Sequence, residues 1–496
     1  MACSGCRPLL RVYLFKCTGQ INALTSSRIL CLALTSFRIL FAALTIYRIS
    51  IIPSHYRHEL EDDDPMVRHD VGYIPRIVKY ISSPICHVQG LVCNILLFYS
   101  LISLKSTLYI TIIKDFCPPC LFIRSRMPVN TAAWLMSSNG APPLEVKSAP
   151  YTSPKENQIV IKNGAVAINP VDWIKRDTGS MVYPWIKCPF ILGTDVAGEV
   201  VEIGHGVTRF KVGDRVVGLA SGQDEKINDP AQSGFQKYIV LLVHMTCHIP
   251  STLSYESAAV LPLGLSTAAC GLFQEDQLNL QYPSVPRPKP TGKTLLVWGG
   301  STSVGSNAIQ LAVAAGYEVI TTCSPKNFAY VKHLGASQAF DYNSKTIIND
   351  LIHAFKGKTT AGAMTIGHQA AEACLDILDK CNGNKFISRA TYPIPSPAPQ
   401  SFVLLKTASY YLSHSALIWY KSKSRNIGAK FIFGFTLIHN GIGKAIYIDF
   451  LPKALAEGTY VAAPDPQVVG KGIEFIEAAL HVQKKGMSAK KVVVSL

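Results

Sequence analysis

The amino-acid sequence predicts an α/β protein in which a β-rich region is joined to a doubly wound parallel sheet. Two observations lead to this fold class. Residues 131–270 hold short β-rich runs separated by Gly, Pro and Asp. From residue 295 to about Phe433, strand-like and helix-like segments alternate, which is typical of parallel sheets. The first 126 residues follow neither pattern, so we treat them as an N-terminal extension of undefined structure.

The parallel sheet is marked best by the stretch LLVWGGSTSVGSNAIQLAVAAGYEVITTCSPK, residues 295–326. Its first four residues predict a buried strand, and the small residues that follow predict a tight turn. A helix then starts near Val304, Gly316 ends it, and residues 317–321 form the next strand. Such a unit of about 30 residues binds dinucleotides, because the helix N-terminus offers N–H groups and a positive dipole to a pyrophosphate.

The glycine fingerprint of this unit is incomplete. When G-x-G-x-x-G is aligned on Gly300 and Gly305, Thr302 occupies the position of the middle glycine, which normally lets the backbone approach the pyrophosphate. Two interpretations stay open, a nucleotide site and a glycine turn without a ligand. The complete strand–turn–helix–strand context favours the nucleotide site.

The end of the second strand indicates which nicotinamide cofactor fits. NAD sites place Asp or Glu about 20 residues after the glycine turn, where it holds the ribose 2′-hydroxyl. Residues 321–326 read TTCSPK and contain no carboxylate. A hydroxyl and a lysine ammonium suit a 2′-phosphate instead, so the sequence favours NADPH over NADH. An ordinary polar turn is the alternative.

Length and composition exclude some classes of function. The 496 residues suffice for roughly two to four domains, and the net charge of +16 divides into +7 in residues 1–126 and +9 in the rest. No long basic run with interleaved aromatic residues follows residue 126, so the charge suits an anionic small ligand and gives no indication of nucleic acid. The six cysteines after residue 126 lack regular short spacing, which indicates a reducing compartment; we expect a cytoplasmic protein.

The first 126 residues allow three interpretations. They contain a decapeptide repeat in which Arg28, Arg38 and Arg48 recur, and an apolar stretch at 90–104 that is short for a membrane span. They form a membrane anchor or targeting segment, or a poorly packed extension, or the protein starts at Met127. We prefer a start at Met127, because a self-contained domain pattern follows it. The solitary C-x-x-C that precedes Met127 indicates neither a metal site nor a redox pair.

Several motifs after Met127 carry a family resemblance. They are GAVAINPVDW at 164–173, PFILGTDVAGEVVEIGHGVTRFKVGDRV at 189–216 and AAVLPLGLSTAACGLF at 258–273. With these motifs and the glycine turn in this order, residues 127–496 resemble the medium-chain dehydrogenase/reductase superfamily, which includes zinc-type alcohol dehydrogenases and quinone oxidoreductases. Within it, the chain is most similar to fungal CipB-like and trans-enoyl reductase-like members.

The resemblance implies a domain organisation. It places a GroES-like catalytic domain at 127–270, a Rossmann NADP-binding domain at 271–434, and a C-terminal segment at 435–496 that completes the catalytic domain. The cofactor then lies in the cleft between the two domains. A monomer or a homodimer is expected, with a small-molecule substrate, no nucleic-acid partner, and no membrane association unless the N-terminal extension is real.

The residues do not match the zinc sites of the alcohol dehydrogenases. INPVDW lacks the cysteine ligand, and Gly193, Thr194 and Asp195 stand in place of the Gly-His-Glu motif. The four-cysteine structural cluster is also missing, so we expect no zinc. Without that Lewis acid, the expected reaction is hydride transfer from NADPH to an activated C=C bond (an enone or enoyl group) or to a quinone.

Three other functions stay open at the level of sequence. They are a zinc alcohol dehydrogenase, a catalytically inactive nucleotide-binding protein, and a membrane-tethered protein in which the first 126 residues matter. Bound zinc, NADPH binding without turnover, and partition into membranes would identify them respectively.

The resemblance also implies site residues. Asn169 and Asp172 of the NPVD motif are expected to face the nicotinamide cleft, with turn stabilisation as their alternative role. The sequence marks no proton donor; Lys175 and Tyr183, which follow the NPVD motif, are the candidates that could reach the cleft, and water is the alternative. The expected cofactor contacts fall into four groups: near the nicotinamide phosphates, Thr267; over the nicotinamide, Phe433 and Gly434; around the pyrophosphate, Gly300, Ser301, Thr302, Ser303, Val304 and Gly305; around the 2′-phosphate, Ser324, Lys326 and Tyr342.

Overall fold

The structure is a computed structural model that describes residues 128–138, 140, 142–392 and 403–496. The decapeptide repeat, the apolar stretch at 90–104, the C-x-x-C pair and the expected start at Met127 all lie outside the described residues.

Most of the first half of the described chain is β-structure, as the sequence predicts. Strand β3 shows why, because apolar side chains of its IVI and AVA runs are buried along most of its length. The strands are β1 (Asn130–Leu135), β2 (Glu145–Ala149), β3 (Gln158–Ala167), β4 (Phe190–Ile191), β5 (Asp195–Ile203), β6 (Arg215–Leu219), β7 (Tyr238–Leu242) and β8 (Thr246–His248). The helices are α1 (Pro170–Thr178), α2 (Tyr255–Ala258) and α3 (Pro262–Phe273).

The sequence of residues 254–273 has one continuous helical pattern, but this stretch forms two helices. α2 ends at Ala258 and α3 begins at Pro262, because proline lacks the N–H that would continue a helix but fits its first turn. By length and composition Tyr255–Phe273 could cross a membrane, yet 78% of the apolar window is buried inside the protein. It is a core segment of the fold.

The second half of the described chain alternates strands and helices, as predicted. The next elements are β9 (Lys293–Trp298), α4 (Ser303–Ala314), β10 (Glu318–Cys323), α5 (Phe328–His333), β11 (Gln338–Asp341), α6 (Ile347–Ala354), β12 (Thr359–Thr365), α7 (Ala370–Asp379), β13 (Asn382–Gly383), β14 (Phe386–Arg389), α8 (Val403–Ser424) and β15 (Gly428–Phe431). The last elements are α9 (Gly441–Lys444), a π-helical stretch (Ala445–Phe450), α10 (Leu451–Ala456), β16 (Asp465–Lys471), α11 (Ile476–Lys484) and β17 (Lys490–Ser495).

The two halves build two different sheets. In the parallel lobe, the strand order is β11-β10-β9-β12-β14-β15 with β13 beside β12, and all pairs are parallel. In the β-rich lobe, the order is β16-β17-β3-β5-β6-β8 with β7 beside β3. The chain returns to the β-rich lobe at its end, because β17 pairs antiparallel with β3.

The strand order also locates the crevice of the parallel lobe. From β9 the chain continues to β10 and β11 on one side and later to β12 on the other, so the order reverses beside β9. Ligands of doubly wound sheets bind outside the carboxyl ends of the strands at such a reversal. The turns after β9, β10, β14 and β15 therefore define one side of the candidate site.

Candidate functional site

The turn after β9 is built as the sequence predicts. Gly299 has φ +87°, which favours glycine. A Cβ on Gly305 would lie 2.2 Å from the carbonyl oxygen of Gly299, and one on Gly300 would lie 2.2 Å from Thr321 Oγ1. These glycines are needed so that α4 can approach β9 and β10 closely, and they place the N-terminus of α4 at the crevice.

Thr302 is the N-cap of α4. Its φ of −77° and ψ of 163° are ordinary for a residue with a side chain. Its hydroxyl accepts a hydrogen bond from the Gly305 N–H at 3.0 Å and donates one to the Gly299 carbonyl at 2.8 Å. Threonine at the middle position of the fingerprint therefore closes the turn without strain. The small residues and the uncapped first-turn N–H groups of α4 form a cradle that fits a pyrophosphate.

Two of the predicted 2′-phosphate residues meet after β10. The Ser324 hydroxyl lies 3.5 Å from the Tyr342 hydroxyl, and Lys326 is exposed in the single turn that follows Ser324. The same turn is tied to the β-rich lobe, since Asn327 Nδ2 donates to Ser488 Oγ at 3.1 Å. A hydroxyl pair and an exposed ammonium at this place can hold a phosphate.

The predicted nicotinamide residues also come together. A Cβ on Gly434 would lie 2.6 Å from Thr267 Oγ1, so this glycine lets the segment after β15 pack against α3. Phe433 is half-buried beside it, and its ring centroid lies 5.8 Å from that of Tyr183. The two lobes therefore meet where the resemblance places the nicotinamide.

Asn169 and Asp172 are buried rather than exposed in the cleft, which corrects the expectation from the resemblance. They are 4% and 0% exposed. The Asn169 N–H donates to Asp172 Oδ2 at 2.8 Å, so the pair closes the N-terminus of α1. Burial raises the pKa of Asp172 to about 7, and Asp172 Oδ1 has no hydrogen-bond partner among the described residues. Both side chains act on the structure behind the cleft.

Asp195, in the motif that replaces the Gly-His-Glu of the alcohol dehydrogenases, forms a buried ion pair. Asp195 is 0% exposed, and its Oδ2 lies 3.0 Å from Lys491 Nζ and accepts from Asn169 Nδ2 at 2.8 Å. Its Oδ1 accepts the Leu263 N–H at 2.6 Å, in the first turn of α3. Among the described residues, no group of three His, Cys, Asp or Glu side chains could hold a metal ion. Asp195 therefore joins β5, β17 and α3.

Lys175 is also buried rather than exposed in the cleft. It is 0% exposed, and its Nζ donates to the carbonyl oxygens of Gly179, Val182 and Tyr183 at 2.9, 3.0 and 2.9 Å. Burial lowers the pKa of Lys175. All three ammonium protons are thus committed to the backbone, which corrects the expectation of a proton donor in the cleft.

Tyr183 is the candidate donor that the structure places at the junction of the lobes. Its ring packs against Trp185, Phe433 and Phe435, with centroids 5.1, 5.8 and 6.5 Å away. Its hydroxyl lies 3.2 Å from the Tyr392 hydroxyl, and burial raises the pKa of Tyr183. The backbone has φ +54°, which costs about 1–3 kcal/mol for a bulky residue and is found most often at functional sites.

Sequence reasoning missed two of these groups. Tyr392 begins a proline-rich segment after β14 that contains no catalytic motif, although the carboxyl end of a parallel strand is where site residues gather. Lys491 lies in the last strand and reaches Asn169 across 322 positions of sequence. No local pattern signals a contact at that separation.

Comparison with known proteins identifies the class. Residues 155–251 match the alcohol dehydrogenase GroES-like domain. The dehydrogenase pigH of Monascus ruber is 57% identical over 370 residues, which are 75% of this chain and 100% of that protein. The chain belongs to the medium-chain dehydrogenase/reductase superfamily and is an oxidoreductase of the kind that uses a nicotinamide cofactor.

Two further relatives bear on the branch and the fold. The trans-enoyl reductase himH of Aspergillus japonicus is 36% identical over 374 residues, which cover 74% of this chain and 98% of that protein. The quinone oxidoreductase of Coxiella burnetii has a TM-score of 0.52 at 21% identity, over 74% of this chain and all of that one. The second likeness shows the fold, and together they confirm the resemblance drawn from the motifs.

Proposed function

We propose that this protein is an NADPH-dependent, zinc-independent reductase of an activated C=C bond or of a quinone. The observation that carries the proposal is the junction at Tyr183, where a buried phenol meets Phe433 beside the crevice of the parallel lobe. When bound there, the cofactor would supply a hydride. The chain's own residues then have to orient the acceptor, exclude water and deliver a proton.

The preference for NADPH is supported by the turn after β10. Ser324, Tyr342 and Lys326 offer two hydroxyls and one exposed ammonium. The turn contains no carboxylate that would repel a phosphate or hold a free 2′-hydroxyl. We propose that this turn recognises the 2′-phosphate.

Independence from zinc is supported by the contacts that the Asp195 carboxylate already makes. Both of its carboxylate oxygens are engaged, by Leu263 on one side and by Asn169 and Lys491 on the other. A metal ion at this position would have to displace the Lys491 ammonium from a buried carboxylate. Buried ion pairs resist such loss, because the group left behind has no counter-charge.

The proton is proposed to come from Tyr183 Oη. Hydride addition to the β-carbon of an enone moves the C=C electron pair toward the carbonyl, and the α-carbon of the resulting enolate then takes a proton. Burial raises the pKa of Tyr183, so its phenol keeps that proton at neutral pH until the enolate forms. Tyr392 Oη, at 3.2 Å, is placed to return a proton to Tyr183.

The proposal is tested by titrating the full chain with NADPH and with NADH, followed by nicotinamide fluorescence. The expected result is tighter binding of NADPH, and oxidation of bound NADPH by enones, enoyl thioesters or quinones. The metal content of the same preparation is measured in parallel. Stoichiometric zinc with alcohol oxidation would identify a zinc alcohol dehydrogenase, and NADPH binding without turnover of any acceptor would identify an inactive nucleotide-binding protein.

Cytoplasmic location and the choice between monomer and homodimer stay predictions of this proposal. Cell fractionation and light scattering of the full chain would measure them.

A further inference from the structure

Behind Tyr183 lies a lysine that the proposed reaction does not use directly. Lys175 belongs to α1 and is completely buried. The segment 179–183 folds around its ammonium, so that each Nζ proton meets one backbone carbonyl of that segment. A lysine has three donors and no acceptor, which matches three converging carbonyls.

The three carbonyls come from a segment whose backbone is unusual at both ends. Gly179 has φ +58°, and Tyr183 has φ +54°. A Cβ on Gly179 would lie 2.2 Å from the Ser138 carbonyl, so that end is fixed by packing. Tyr183 at the other end carries a large side chain in a conformation that bulky residues rarely adopt, and something must hold it there.

The hydrogen bond from Lys175 Nζ to the Tyr183 carbonyl, at 2.9 Å, acts on that residue. Together with the bond to Val182 at 3.0 Å, it fixes the peptide units on both sides of the Tyr183 Cα. The direction in which the Tyr183 ring leaves the backbone is therefore set by the ammonium. That direction brings the hydroxyl to Tyr392 and the ring to Phe433.

Lys175 forms no ion pair with a carboxylate of the described residues. Burial and the nearby Lys187 ammonium lower the pKa of Lys175, and the Cys188 thiol raises it. Burial raises the pKa of Cys188, so the thiol stays neutral. The hydrogen-bond partners of this ammonium are carbonyl oxygens, whereas Lys491, the other buried lysine among the described residues, has Asp195 as its counter-ion.

We infer that Lys175 is a positioning residue that fixes Tyr183 in the orientation needed for proton delivery. This inference rests on the proposed function, since it takes Tyr183 as the donor. A residue that acts only through Tyr183 should lose its effect when the Tyr183 hydroxyl is removed. A residue that merely stabilises the lobe should keep the same effect in both backgrounds.

The test is a double-mutant cycle of Lys175→Met and Tyr183→Phe in the full chain, with kcat and KM measured for an enone at saturating NADPH. We expect Lys175→Met to lower kcat about tenfold or more and to leave the KM for NADPH within about twofold. In the Tyr183→Phe background, the same change should lower kcat less than about twofold. Equal losses in both backgrounds would overturn the inference.

A matched control is available on the same segment. Lys187 is exposed and donates one hydrogen bond, to the Pro184 carbonyl at 3.2 Å. Lys187→Met should leave kcat and KM unchanged. If Lys175→Met gives no folded protein, Lys175→Gln, which keeps an amide donor, takes its place in the cycle. Failure of both variants to fold would assign Lys175 a role in stability alone and overturn the inference.

A spectroscopic measurement separates this inference from the proposed function. The Trp185 ring lies 5.1 Å from the Tyr183 ring, so its emission reports the conformation of the segment, once the spectrum of Trp185→Phe is subtracted. We expect Lys175→Met to shift that emission. If the wild type reduces no acceptor, the proposed function fails while this shift still tests Lys175; an unchanged Trp185 emission would overturn the positioning role.

Discussion

The two sides of the cleft are built in different ways. On the side of the parallel lobe, the turn from Gly299 to Thr302 and the N-terminus of α4 come from one short stretch of chain. On the opposite side, Lys175 donates a hydrogen bond to the Tyr183 carbonyl, and the Tyr183 side chain meets Phe433 and Tyr392, which are some 200 positions or more away in sequence. Thus the proposed cofactor cradle is predictable from a local motif, whereas the surroundings of the proposed proton donor come from residues far apart in the chain.

The two buried lysines in the described part of the β-rich lobe have different kinds of partner. Lys491 pairs with a carboxylate, and Lys175 is surrounded by carbonyl oxygens. An ion pair joins two elements, here β17 and β5. Three carbonyl oxygens that accept from one ammonium constrain the backbone of a single segment, residues 179–183. The predictions below test the two sides of the cleft in order of expected effect.

The largest effect is expected on the free energy of unfolding, through Asp172 in α1. Its pKa is raised to about 7 in the folded protein, against 3.8 for the free side chain. The stability that its protonated form provides is present below about pH 4 and is lost as pH rises through about 7. Wild type should therefore lose roughly 4 kcal/mol of unfolding free energy relative to Asp172→Asn across this window, at 1.36 kcal/mol per unit.

Urea unfolding of both chains at several pH values would measure this difference. Asn keeps an acceptor for the Asn169 N–H, so the helix terminus stays closed in the variant. Glu457→Gln, which changes an exposed carboxyl, is the control and should show no such trend. A constant difference between wild type and Asp172→Asn from pH 4 to 8 would contradict the raised pKa.

The next effect concerns Tyr183, the proposed proton donor. Tyr183→Phe removes the hydroxyl and keeps the ring contacts, so we expect kcat for enone reduction to fall about 100-fold with an unchanged Kd for NADPH. Stopped-flow and steady-state rates would measure it. Tyr282→Phe, at an exposed tyrosine, is the control. Rates equal to wild type would mean that solvent supplies the proton.

On the cofactor side, Lys326→Ala should have a moderate effect. The ammonium is exposed, so its proposed contact with a 2′-phosphate is screened by water and is worth about 1 kcal/mol. We expect the Kd for NADPH to rise about five- to tenfold and the Kd for NADH to stay constant, as measured by fluorescence titration. An equal rise in the Kd for NADPH and for NADH would show that Lys326 does not contact the 2′-phosphate.

The smallest effect is expected at Thr302. Thr302→Gly restores the glycine of the fingerprint but removes the hydroxyl that caps α4. Replacing an N-cap threonine by glycine costs a few tenths of a kcal/mol. We therefore expect a slightly lower melting temperature and a Kd for NADPH within about twofold of wild type. A large gain in NADPH affinity would mean that the threonine methyl group obstructs the cradle.

Much of the fold was predictable, because its signals are local. The alternation of elements after residue 295, the turn at Gly299 and the β-rich first half all follow from patterns within a few residues. The break before Pro262 was missed, since the flanking residues have one continuous apolar pattern. There the missing N–H of proline outweighed the pattern around it.

The sequence by itself determined the class of protein, the glycine turn and the absence of a carboxylate after β10, because each depends on neighbouring residues. Only the tertiary structure decided the roles of Asp172, Lys175 and Tyr183. All three lie in or just after the NPVD motif, yet in the folded chain Asp172 accepts the Asn169 N–H, Lys175 donates to three backbone carbonyls, and Tyr183 packs against Phe433 where the lobes meet. The physical reason is that burial and partners come from residues far apart in the chain, which no local pattern contains.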